Sequence, residues 1–222
     1  MKTSKLLISC LTALMMVGYN PVMAQDTGEN GIGEEGKAYL ESEEYQKRIK
    51  EKEEWMASQP MKLSVGRMSI THYTQETNSW CGPAAAKMLI QYVKGTSPSQ
   101  ATLASEMKTD VGKDGTYVND VQARIAYYTG VPYEVSDVAY GNFYNNVKTD
   151  FDADFPVIYD VDISKLDNSY DSGTGHYLVG AGYSSSGQLY YSDPGRSSNY
   201  EKTVSQSAMI DALEGNGGYY IY

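Results

Sequence analysis

The alternation of apolar and polar residues divides the chain into a helical half and a stranded half. Pro83 opens a run in which Ala85, Met88, Leu89, Tyr92 and Val93 share one face, and Gly95 closes it, which predicts a helix. Ser97-Pro98 begins a second helical stretch with Leu103, Ala104 and Met107 directed inward, and Asn119 to Tyr128 gives a third with Val121, Ile125 and Tyr128 on one stripe. Beyond these the period shortens. Pro156 to Ile163 is a short apolar run followed by a Ser/Asp/Gly loop, and His176–Tyr183 and Gln188–Asp193 flank Ser184-Ser185-Ser186-Gly187 as a hairpin. Gly218 to Tyr222 reads as a terminal strand. Helices first and antiparallel strands afterwards predict an α+β fold.

The N-terminal part follows other patterns. Lys2 and Lys5 precede an apolar stretch from Leu6 to Val17, too short to span a membrane, and Val22-Met23-Ala24 has the small-x-small form of a cleavage site. Residues 1–24 are therefore expected to be a signal peptide, with Gln25 as the mature N-terminus and the protein secreted. Leu7-Ile8-Ser9-Cys10 loosely matches a lipoprotein signal, but the apolar run before Cys10 is too short for a good one. Residues 25–62 are Gly- and Glu-rich and then charge-dense, with Tyr39, Leu40, Tyr45, Ile49 and Trp55 only loosely at helical spacing. Such a segment cannot bury much surface alone and reads as a spacer, a solvated helix or a propeptide. Residues 63–222 are long enough for one domain with its own core.

Charge narrows the partners. With Lys2 and Lys5 removed, 16 basic side chains face 28 acidic ones, a net charge of −12. That disfavours nucleic acid and anionic membrane surfaces. Twenty-one Tyr against three Phe fits half-wet strand faces, with a sugar-binding surface as the rarer explanation. Two histidines and one mature cysteine cannot assemble a usual zinc site, the Asp160–Asp171 stretch lacks the calcium-hand spacing, and Gly112 to Gly115 is too short for a phosphate loop. No metal or cofactor is expected.

Loss of residues 1–24 leaves Cys81 as the only thiol, so no disulfide framework can form. A lone thiol is either a small buried hydrophobe or a nucleophile. Cys81 stands directly before Gly82-Pro83, at the start of the first predicted helix, where unpaired N–H groups and the helix dipole favour an anion. The base must be His72 or His176. His176 opens a strand after the flexible Ser172-Gly173-Thr174-Gly175, whereas His72 lies in a polar loop without an evident orienting partner and reads as an ordinary surface side chain. If the hairpin loop is Ser184 to Gly187, Leu178 faces Asp193, and Asp193 shares a sheet face with His176 at a diagonal separation of about 7–8 Å. A carboxylate there can orient the imidazole, although Asp193-Pro194-Gly195 is also a plain turn sequence. Gln75 could donate its amide to an oxyanion together with the Cys81 N–H. Trp80 walls a cleft or is simply core.

Gln75-Glu-Thr-Asn-Ser-Trp-Cys81-Gly-Pro-Ala-Ala, Gly175-His176-Tyr-Leu-Val-Gly-Ala-Gly-Tyr183 and Ser192-Asp193-Pro194, in that order, resemble the papain-like cysteine peptidases. Within them the sequence is similar to the bacteriocin-processing, double-glycine leader peptidases (family thirty-nine) and their relatives, over roughly residues 68–220. The resemblance implies a papain-like fold, a peptide or protein substrate, a thiol acyl-enzyme and an oxyanion hole completed by the Gln. Trp80 stands where the leader peptidases usually carry Asp, so thiol chemistry carries over and leader specificity does not. A transpeptidase or acyltransferase keeps the same thiol chemistry with another acceptor, and a secreted binding module on the same fold would dispense with it. The oligomeric state is open.

Overall fold

A computed structural model describes residues 38–60, 66–109 and 115–222. The expected signal segment, residues 1–24, lies outside them.

A run of helices precedes most of the sheet. α1 (Glu43–Ala57) is capped by the Ser42 side chain on the Tyr45 N–H, with Glu43 and Glu44 in its first turn, both favourable at a helix N-terminus. β1 (Gly66–Arg67) is a short strand. α2 (Cys81–Lys94) is closed by Gly95 in the left-handed conformation, φ 75°. α3 (Gln100–Glu106) starts after the Ser99 cap, two residues later than Ser97-Pro98 suggested. α4 (Val118–Thr129) follows.

The second half alternates strands with two helices that the hydrophobic pattern did not resolve. Its elements are β2 (Val135–Asp137), α5 (Phe143–Asp152), β3 (Val157–Asp162), β4 (Gly175–Tyr183), β5 (Leu189–Ser192), β6 (Glu201–Val204), α6 (Gln206–Glu214) and β7 (Tyr219–Ile221). The strands form one antiparallel sheet in the order β2-β7-β3-β4-β5-β6, with β1 added against the end of β4. The architecture is α+β, as the hydrophobic pattern predicts.

Alternate residues of the sheet feed two cores. Ile158, Tyr177, Val179, Tyr219 and Ile221 pack with Ala85, Leu89, Leu103, Val121 and Ile125 of α2, α3 and α4. Val157, Tyr159, Val161, Leu178, Leu189 and Tyr220 pack on the other side with Phe151 of α5 and Met209 and Leu213 of α6. Both faces of β3 and β4 are therefore buried, which explains why these strands read as apolar runs rather than clean alternation.

Tyrosine does much of this packing. Tyr133, Tyr159 and Tyr220 are fully buried, whereas Tyr73, Tyr92, Tyr170, Tyr190 and Tyr200 are partly exposed, so the ring serves both the core and half-wet sites. Most of the buried rings find a partner for the hydroxyl: Tyr133 donates to the Pro156 carbonyl at 2.8 Å, Tyr177 to Thr116 O at 2.7 Å, and Tyr45 to Val135 O at 2.7 Å.

α1, within the charge-dense 25–62 segment, is docked on the domain. Lys52 is 3% exposed and its ammonium lies 3.0 Å from the equally buried Asp150 carboxylate and over the Tyr222 ring at 4.2 Å. Arg48 pairs with buried Glu134 at 2.6 Å, and Trp55 packs on Phe155. Burial alone would neutralise both members of the Lys52–Asp150 pair, and each is drawn back toward its charged form by the other. Breaking such a pair from one side typically costs about 3–5 kcal/mol, because the remaining charge stays in apolar surroundings.

The hairpin between β4 and β5 differs from the simplest loop in an informative way. Ser184 N–H bonds to Gln188 O at 2.8 Å and Tyr183 faces Leu189, one residue beyond the expected pairing. That slip alone would turn Asp193 to the opposite face. It is reversed by a β-bulge between Gly180 and Tyr183, after which Gly180 faces Tyr191 and Val179 faces Ser192, the register that places Asp193 opposite Leu178. Gly182, at φ +112°, sits in the bulge, and a Cβ there would run into the Gly66 carbonyl of β1. Gly182→Ala is expected to destabilise the fold by roughly 2 kcal/mol or more through strained backbone and the clash with β1. Urea melts of the two proteins check this, and an unchanged midpoint contradicts it.

Candidate active site

The site lies where β4 begins and β5 ends. Cys81 is the first residue of α2, and Ala84 N–H already bonds back to Trp80 O at 2.9 Å. The thiol therefore sits at the helix N-terminus, 9% exposed, at the edge of the core beneath α2. Gly82 must be small: a Cβ would come within 2.9 Å of Thr116 Oγ1.

His176, the second residue of β4, is 5% exposed and pairs across to Val161 of β3. Its Nε2 bonds to Asp193 Oδ1 at 2.7 Å, and the Cys81 thiol acts electrostatically on the same ring. Burial would lower the imidazole's affinity for its proton, but the hydrogen bonds and charges of Asp193 and Cys81 outweigh it and push its pKa up to about 9. Asp193 shows the complementary balance. Burial raises it, while the hydrogen bond and charge of His176, the Gly195 N–H at 2.7 Å and the Tyr170 hydroxyl at 2.9 Å hold it below the usual carboxylate range.

Gln75 joins the same site through its backbone. Its N–H bonds to Pro194 O at 2.8 Å, beside Asp193, while its side-chain Nε2 donates to Thr77 O at 2.9 Å and Oε1 is buried without a partner. The structure thus bonds His176 to Asp193, sets the Cys81 thiol within electrostatic reach of the imidazole, and places the Gln75 loop against the turn after Asp193. Trp80 is the residue capping α2, partly buried, with its indole N–H unpaired.

Four further residues build the site. His72 is not a free surface side chain: it stacks on Tyr200 with ring centroids 3.6 Å apart and bonds Arg196 O at 2.7 Å, bracing the turn that follows Asp193. Gln100, 2% exposed, clamps both neighbours of Gln75, donating to Thr74 O at 2.8 Å and accepting from Glu76 N–H at 3.0 Å. Tyr170 lies on Asp193. Asp160, one strand over from His176, is pushed up to about 8 by burial, against the pull of a 2.7 Å bond from Asn216 and the charge of His176, and the carboxylate bonded to the imidazole is Asp193. Nothing in the local sequence separates these four from ordinary polar positions; each is revealed only by tertiary contact. Among the described residues no group of acidic, His and Cys side chains has the arrangement of a metal site.

The model of the Peptidase_C39 like family matches residues 67–219, and the chain belongs to that family, which supports a cysteine peptidase. Among solved structures, a Bacillus anthracis protein assigned as a C39-like peptidase superposes with a TM-score of 0.52 at 17% identity, covering 69% of this chain and 94% of that one. The peptidase domain of Streptococcus ComA, a bifunctional ABC transporter of a quorum-sensing pathway, gives 0.47 at 22% identity over 68% and 94%. A double-glycine motif protease from an AMS/PCAT transporter, solved with its leader peptide, gives 0.49 at 17% identity over 73% and 96%. No curated protein matches the chain. The fold is papain-like, and α1 lies outside the matched region.

The electrostatics carry a sign. His176 binds its proton more tightly in the folded protein than in an unfolded chain, where imidazole titrates near 6.5, so its stabilising contribution is complete below 6.5 and is lost as pH rises through about 9. Thermal melts of the native protein should therefore fall more steeply between pH 6.5 and 9 than those of Asp193→Asn, which lacks a main cause of the raised value. Parallel slopes would contradict the assignment.

Proposed function

We propose that the protein is a secreted thiol peptidase that hydrolyses peptide bonds through an acyl-enzyme on Cys81. The observation that carries this reading is the buried His176–Asp193 bond at 2.7 Å, with the Cys81 thiol at the start of α2 acting on the same imidazole. His176 takes the thiol proton, giving a thiolate–imidazolium pair held by Asp193. The sulfur attacks the peptide carbonyl, and the oxyanion is met by the Cys81 N–H and the Gln75 amide. The imidazolium then protonates the departing amine as the C–N bond breaks, leaving a thioester. Water, deprotonated by His176, attacks the thioester and releases the carboxylic acid with the thiol regenerated.

Secretion is part of the proposal and rests on the pattern of residues 1–24. Mass spectrometry of the protein from its producing cell is expected to find Gln25 at the mature N-terminus; an intact Met1 would overturn it.

The chemistry is tested by iodoacetamide or epoxide labelling together with peptide turnover. Cys81→Ser should abolish labelling and lower turnover by about a thousandfold or more, as loss of a nucleophile does in comparable enzymes. Equal turnover by the native protein and Cys81→Ser would end the proposal, and transfer of the acyl group to added amines in preference to water would redirect it to acyl transfer.

A further inference from the structure

Asp193 is 1% exposed, so its oxygens must find partners within the protein. Oδ1 accepts from His176 Nε2 at 2.7 Å and from Gly195 N–H at 2.7 Å. Oδ2 accepts from the Tyr170 hydroxyl at 2.9 Å, while Arg196 Nε stands off at 3.9 Å. The Tyr170 ring also lies beside the imidazole, centroids 5.5 Å apart and planes tilted by 39°. It comes from the loop between β3 and β4 and is gripped there: the Arg196 guanidinium sits 4.6 Å over the ring and bonds Asp167 Oδ2 at 2.8 Å. Residue 195 is Gly for the same reason, since a Cβ would collide with the Tyr170 hydroxyl.

From these contacts we infer that Tyr170 is a positioning residue for the reaction, its hydroxyl fixing the rotation of the Asp193 carboxylate and its ring shielding the Asp193–His176 bond from water. The inference rests on the Cys81–His176 chemistry proposed above. A carboxylate turns about its Cβ–Cγ bond with little resistance, so its orientation is set by its partners. With the hydroxyl present, each oxygen has its own donor and Oδ1 stays on the imidazole. Without it, the buried Oδ2 is left facing a cation beyond bonding range, and an unmet buried acceptor costs about 1–3 kcal/mol. The carboxylate then swings toward Arg196, the His176 bond lengthens, and the imidazolium loses the group that holds its proton. Tyr170 acts through Asp193, so its removal moves the protonation of His176 rather than substrate affinity.

Tyr170→Phe in the full chain tests this, because it keeps the ring and removes only the hydroxyl. The His176 titration, followed by NMR of the imidazole, should shift down by about half a unit or more, as loss of a hydrogen bond to the charged partner predicts. In parallel, kcat should fall about tenfold with KM changed less than twofold, the pattern of an interaction that serves the reacting state alone. Tyr127→Phe, at a ring 59% exposed and remote from these contacts, should alter neither. An unchanged or raised His176 midpoint in Tyr170→Phe overturns the inference whatever the thiol does. If the midpoint drops while the native thiol proves unreactive, positioning by Tyr170 stands and the peptidase proposal falls.

Discussion

The β4–β5 register decides whether this chain has a site at all. His176 lies on β4 and Asp193 directly follows β5, and side chains alternate faces with every residue, so a slip of one position would send the carboxylate to the far side of the sheet. The hairpin loop does contain that slip. The bulge at Gly182 cancels it, and it can form there because a glycine accepts the positive φ and leaves room for the β1 backbone. A backbone irregularity several residues from the imidazole thus sets the geometry of the imidazole–carboxylate pair.

Around that pair the protein solves a problem of buried charge. Asp193 and His176 are almost fully enclosed, and each would be neutralised by burial if it stood alone. Together they keep opposite charges, and the surrounding donors satisfy the oxygens left over. Asp160 makes no bond to that cation, and burial outweighs its charge and raises the carboxyl instead. Two buried carboxyl groups beside one imidazole are therefore pushed in opposite directions by their neighbours.

The sequence made much of this legible, for identifiable reasons. α2, with Pro83 near its start and Gly95 at its end, obeys local rules, and so do the apolar runs of β3 and β4. Cys81 and His176 could be singled out because thiols and imidazoles are so few. Asp193 emerged from pairing geometry whose loop was one residue off and whose register was nonetheless right. What stayed hidden depends on tertiary contact: the docking of α1 through Lys52 and Arg48, the support of the turn by His72, and the Gln100 clamp each join residues distant in sequence. α6 was missed because its amphipathic stretch is short, and Tyr170 because one tyrosine among twenty-one gives no signal.

The hydroxylated aromatics of the interior carry a consequence for how this domain can evolve. A phenylalanine core is held by shape and tolerates gradual exchange of bulk. Here Tyr133, Tyr177 and Tyr45 fasten the backbone of Pro156, Thr116 and Val135, so each ring is committed to one direction as well as one volume. Drift at such positions strands a carbonyl along with vacating space, so a substitution there costs more than the lost volume alone.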